Sequence, residues 1–191
     1  MSTKYEASAF RRDAIKKLSE LYPSPPHALP TNGNTTASPS SICMVITVSR
    51  ESGAKTLLPM AYYYLAVKSL TDVFLARECD RLKILTGREK LKDKLCALLM
   101  NSYSKGCCRC SAKCLRNWNS FVHSDAQREL REELNVFSWD CERCPPGVCR
   151  RFKIDLEDYI LTSRKSLWSE LPSYFGLGTW QELKGTSDLG S

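Results

Sequence analysis

Between Pro23 and Ser41, fifteen of nineteen residues are Pro, Ser, Thr, Asn or Gly, and none is Asp, Glu, Lys or Arg. No amphipathic element can form from such a stretch, so it reads as a linker or surface loop over 23–41, with His27 a solvated loop histidine. It divides the 191-residue chain into a short N-terminal piece and a long remainder. On the N-terminal side Phe10, Ala14, Leu18, Leu21 and Tyr22 recur at helical spacing, while Arg11, Arg12, Lys16 and Lys17 fall mostly elsewhere. This predicts a helix over 9–22, capped by Ser8 and ended by Pro23.

Beyond the linker the helical period dominates. Ile42, Val45, Ile46 and Val48 favour strands, yet Ser49-Arg50-Glu51-Ser52-Gly53 looks like a helix end with glycine in the left-handed cap, and a helix is preferred. Leu57-Leu58-Pro59 opens a short helix with proline in its first turn, and Met60, Tyr63, Tyr64 and Val67 supply its apolar faces. From Thr71 to Met100 the apolar spacing predicts two helices, interrupted or bent near Gly87. Residues 77–104 carry seven basic and four acidic side chains, a balance of +3 that reads as a solvated face. Residues 150–171 form another helical pattern, broken by Pro172, Gly176 and Gly178, before a closing segment of Tyr174, Phe175, Leu177, Trp180 and Leu183. The expected fold is all-α, an irregular helical bundle with a Cys-rich loop region and little or no β-sheet. It has a terminal helical piece over 1–22, a helical domain over 42–183 and a tail over 184–191. A chain of this size buries roughly 70% of its surface and has no need of disulfides or metals merely to fold.

That matters for the ten cysteines, seven of which lie between 107 and 149. Cys110-x3-Cys114 and Cys141-x2-Cys144 are pairs whose thiolates can reach one ion, and zinc takes four such ligands tetrahedrally. The 26-residue gap between the pairs requires tertiary structure to close the site. The candidate metal ligands are Cys110, Cys114, Cys141 and Cys144, with His123 a substitute and zinc the structural cofactor. Free, partly buried thiols are the open alternative, and redox or disulfide use is another. Cys43, Cys79 and Cys96 stand alone in apolar or helical segments and read as packing residues.

Catalytic constellations are missing from the pattern. Thiol catalysis needs a base near the nucleophile, and outside the linker only His123 is available. Ser52-Gly53-Ala54-Lys55-Thr56 resembles a phosphate loop but lacks the first glycine and the Gly-Lys pair. Nucleic-acid binding is the charge-driven alternative: the chain carries a net +7, and residues 105–153 hold ten basic and six acidic side chains beside Trp118 and Phe121. The interspersed acids favour a solvated surface instead. The start carries charges throughout and has no signal-peptide core, and the longest apolar stretches, Cys43–Ser49 and Leu57–Val67, are too short for a bilayer. The expectation is an intracellular protein of the cytoplasm or nucleus, with no membrane partner and reduced thiols.

Five ordered motifs carry a family resemblance. Ser2-Thr3-Lys4-Tyr5-Glu6 with Phe10-Arg11-Arg12-x-Ala14-x3-Leu18 is similar to the stretch joining the last two helices of the BTB module in BTB/POZ-domain-containing proteins of mushroom-forming fungi. Glu51-x-Gly53-Ala54-x2-Leu57-Leu58-Pro59-x-Ala61-Tyr62-Tyr63 and Gly87-Arg88-Glu89-x-Leu91 resemble two further motifs of that family's helical C-terminal region. The two cysteine pairs fall where many members also carry cysteines. Leu167-Trp168-x2-Leu171-Pro172-Ser173-x-Phe175-Gly176-Leu177-x2-Trp180-x2-Leu183 is close to the family's ending. The resemblance spans residues 2–183 and implies a helix over 42–51. It further implies a non-enzymatic protein-interaction module, associating with itself or other proteins through the BTB-like helix. The strand-bearing body that precedes this motif in the family has no counterpart in these 191 residues.

Overall fold

The computed structural model describes residues 2–24, 36–104, 112–123, 137 and 146–187. Among them the fold is all-α, with no strand. The helices are α1 (Ser2–Leu21), α2 (Pro39–Ser52), a 3-10 turn (Lys55–Leu57), α3 (Leu58–Ala66), α4 (Leu70–Val73), α5 (Glu78–Ser104), α6 (Ala112–His123), α7 (Arg150–Tyr174) and α8 (Trp180–Ser187).

The fold is organised around α3. All nine residues from Leu58 to Ala66 are buried, and a helix that is apolar around its whole circumference has to be wrapped by others. The apolar faces predicted from Met60, Tyr63, Tyr64 and Val67 are therefore only part of what α3 buries. Helices α2, α5 and α7 and the 3-10 turn pack around it. Its tyrosines extend the core outward as edge-on ring contacts: Tyr62 with Phe175 at 5.6 Å, Tyr63 with Phe137 at 4.9 Å and Tyr64 with Tyr22 at 5.5 Å. Phe137 passes the packing on to Trp168 at 5.9 Å, and Trp168 to Trp180 at 5.2 Å.

Helix ends follow local chemistry. Ser38 caps α2 by accepting from Ser41 N at 3.2 Å, Pro39 takes the first turn, and Gly53 ends the helix at φ +74° with its N–H on Arg50 O at 3.4 Å. The helix predicted over Ile42–Glu51 is thus present, and it takes in Pro39 to Ser41, the last residues of the expected linker. Helix α1 likewise starts at Ser2 rather than after Ser8. No Gly or Pro stands between Ser2 and Leu21 to stop it. Helix α8 runs to Ser187, into the segment read as a tail.

Two expected breaks are not breaks. Gly87 lies inside the continuous α5, and a Cβ there would sit 2.1 Å from Phe175 Cδ1. The glycine makes room for a ring and does not interrupt the helix. Pro172 lies inside α7, in its last turn. A proline has no N–H to give the carbonyl four residues back and its ring pushes that carbonyl aside, so Trp168 O loses its helical donor. Trp180 Nε1–H supplies one at 2.8 Å. One tryptophan of the closing segment thereby repairs the helix that precedes it.

The charged face of α5 is not wholly solvated. Asp80 is 1% exposed; it accepts from Tyr62 Oη and pairs with Arg50, tying α2, α3 and α5 together. Burial is the main cause that pushes the Tyr62 phenol well above its ordinary range, with the Asp80 hydrogen bond next. Arg88 is buried too and donates to Ala66 O and, at 2.6 Å, to Lys68 O. A guanidinium against the last carbonyls of α3 satisfies the acceptors a helix end leaves free and complements its dipole. Desolvation lowers its pKa from the usual guanidinium range. No helix among the described residues is long and apolar enough to cross a membrane.

Candidate functional site

Three places have features beyond packing. The first is the base of the cysteine-rich segment. Cys114 lies on the inner side of α6, buried, with its Sγ 3.9 Å from Gly147 O. One turn on, Asn117 Nδ2 donates to Pro146 O at 3.3 Å, so residues 146–149 run along α6. Cys149 closes the arrangement as the cap of α7, its Sγ accepting from Phe152 N at 3.4 Å. Trp118 meets Phe152 as a tilted ring pair at 5.6 Å, fixing α6 against α7. Of the sequence-predicted ligands, Cys114 is placed here, whereas Cys110, Cys141 and Cys144 lie outside the described residues, as do Cys107 and Cys108. The backbone of His123 ends α6, and its side chain is outside the described part. Among the described residues no group of three or more His, Cys, Asp or Glu could hold a metal ion.

The isolated cysteines divide. Cys43 and Cys96 are half-buried, and burial, with Asp80 and Asp72 behind it, raises the Cys43 thiol. Cys79 is exposed, contrary to its reading as a packing residue, and its Sγ lies 3.8 Å from Arg50 Nη1. It occupies the first turn of α5 on the outward side, beside the Arg50 guanidinium.

The second place is α1. Ile15, Leu18 and Tyr22 are the residues seated on the core. Arg11 donates to Ser52 O, and Tyr64 Oη donates to Leu21 O at 3.4 Å. Phe10 and Leu21, which recur with Leu18 and Tyr22 at helical spacing, are 75% and 66% exposed. At 100° per residue they share a stripe with Ala14, turned about a quarter of the circumference from the seated one. The spacing was compatible with both faces, and only contact with α3 decides between them.

The third is a groove of about 470 Å³ that sequence reasoning missed. Arg50 from α2, Lys55 from the 3-10 turn and Lys83 from α5 line it, opposite Gly176 and Leu177 and the first turn of α8. The available signal was Lys55 in the glycine-containing stretch after α2. A smaller polar cleft between α5 and α7 holds Glu170, which accepts from Tyr174 Oη at 2.7 Å and Ser166 Oγ at 2.9 Å and pairs with Lys94 at 3.3 Å. Those bonds, Tyr174 first, hold the Glu170 carboxyl below its ordinary value.

No known protein family, curated protein or solved structure matches this chain.

Proposed function

We propose that the chain is a non-enzymatic protein-interaction module, akin to the C-terminal part of a BTB/POZ-domain-containing protein, that offers the Phe10 stripe of α1 to another protein chain. The observation that carries this reading is a 20-residue helix that seats one stripe on the core and leaves Phe10, Ala14 and Leu21 outward. Covering a side chain such as Phe10 contributes about 1.5–3 kcal/mol, so a stripe of this kind is worth docking. In the proposed family setting the natural occupant is the body of a BTB fold, in the same protein or in a second one. Sedimentation of the full chain from micromolar to ~100 µM, with and without a BTB/POZ core expressed separately, tests this. A complex that Phe10→Glu dissolves, with thermal stability unchanged, is the expected result. A chain that sediments as a monomer in both settings overturns the reading.

The contact of Cys114 with the 146–149 segment supports a structural zinc in the same module. It brings the first turn of α6 against the chain that follows Cys144 in sequence, as a site split by 26 residues requires. About one equivalent of zinc is expected by elemental analysis after expression in a reducing cytosol. Absence of metal, with melting indifferent to a chelator, removes the site.

A further inference from the structure

The groove beside Arg50 is explained neither by the α1 stripe nor by the cysteine segment. Its volume of about 470 Å³ falls in the range of small-ligand sites, roughly 300–1,000 Å³. Three cations from three separate elements converge on it. Arg50 is held from behind, its Nη2 donating to Tyr62 Oη at 2.8 Å and pairing with buried Asp80. This fixes the guanidinium and largely cancels its charge. Lys55 and Lys83 have no ion-pair partner among the described residues. The one acid in the lining, Glu182, keeps its negative charge while its Oε2 accepts from Thr179 N at 2.7 Å and Thr179 Oγ1 accepts from Glu182 N at 3.2 Å, a reciprocal cap on α8. Leu58, Leu177 and Leu183 supply apolar wall between the charges.

Two ammonium groups without an ion-pair partner beside a fixed guanidinium leave the lining net positive with Glu182 counted, which suits an anionic group, and the leucines suit an apolar body attached to it. We infer that the groove binds a phosphate monoester carrying an apolar group. The lysines act as mobile point charges on the phosphate and Arg50 as the fixed donor. The same chemistry has two sources, a free small phosphate ester or a phosphorylated side chain of another protein.

The test is titration of the full chain with phenyl phosphate near neutral pH and ~50 mM salt, followed by amide chemical shifts or calorimetry. Saturable binding is expected, weakened at least tenfold in Lys55→Gln/Lys83→Gln. A control of equal charge change, Lys16→Gln/Lys17→Gln on α1, should leave it within twofold. Lys16, Lys17 and Lys55 are exposed and Lys83 is half-buried, and far-UV circular dichroism checks that each variant is folded. A phosphotyrosine hexapeptide that binds tenfold more tightly than phenyl phosphate assigns the source to a protein, and equal affinities assign it to a small molecule. No saturation up to ~20 mM, or equal weakening in the two double variants, overturns the inference.

Discussion

Replacing Trp180 by Phe isolates the bond that spans the proline in α7. Trp168 O is deprived of its helical donor by Pro172 and relies on Trp180 Nε1–H at 2.8 Å, in a place where both tryptophans are buried. Leaving such a carbonyl unpaired costs about 1–3 kcal/mol. The smaller ring adds a packing loss, for a total of about 2–4 kcal/mol. The packing loss is separable because Pro172→Ala restores an N–H at the position from which a helix would serve Trp168 O. In the Trp180→Phe background that N–H meets an unpaired acceptor, whereas in the parent it meets one already bonded. The two substitutions should therefore couple, with Pro172→Ala more favourable by about 1–2 kcal/mol when Trp180 is Phe than when it is Trp. Urea unfolding followed by far-UV circular dichroism reads this without relying on tryptophan fluorescence, which the substitution itself changes. If Pro172→Ala has the same effect in both backgrounds to within about 0.3 kcal/mol, the carbonyl argument is wrong and Trp180 acts through packing alone.

Gly87→Ala gains about 1 kcal/mol of helix propensity but places a Cβ 2.1 Å from Phe175 Cδ1. A net loss of about 1–3 kcal/mol in urea unfolding is expected, and a stabilised variant would contradict the packing role. Glu170 gives a pH dependence. Its carboxyl is held below the ordinary 4.5 by Tyr174, Ser166 and Lys94, so its contribution is fully present above pH 4.5 and is lost as pH falls through the lowered folded value. Glu170→Gln should flatten the fall of the urea midpoint below pH 4.5, and an unchanged slope refutes the assignment.

Much of the helical framework was legible because it rests on local rules. Gly53 stops α2 through its left-handed φ, Pro59 sits in the first turn of α3, and the apolar residues of α7 recur at helical steps. What stayed illegible depends on what each helix meets. A glycine and a proline both signal a break when read along the chain, yet Gly87 answers to Phe175 and Pro172 to Trp180. The Glu51–Tyr63, Gly87–Leu91 and Leu167–Leu183 stretches are far apart in sequence but share one core through Tyr62, Gly87, Phe175 and Arg88. The Arg50 groove was invisible for the same reason: its cations come from three elements, and no spacing of residues announces their meeting.

By itself the sequence determined that this chain is helical, because helical period, caps and turn residues act over a few residues and need no distant partner. It also determined that the cysteines cluster, and that a site built from their two pairs must be closed by the fold. Tertiary structure alone decided which stripe of α1 faces inward, that Asp80 and Arg88 leave the solvated face of α5 for the core, and that Lys55 and Lys83 share a groove with Arg50. Each of those outcomes depends on the free energy of contact between elements remote in sequence. Burial, charge pairing and hydrogen-bond satisfaction are settled there, once α3 is enclosed.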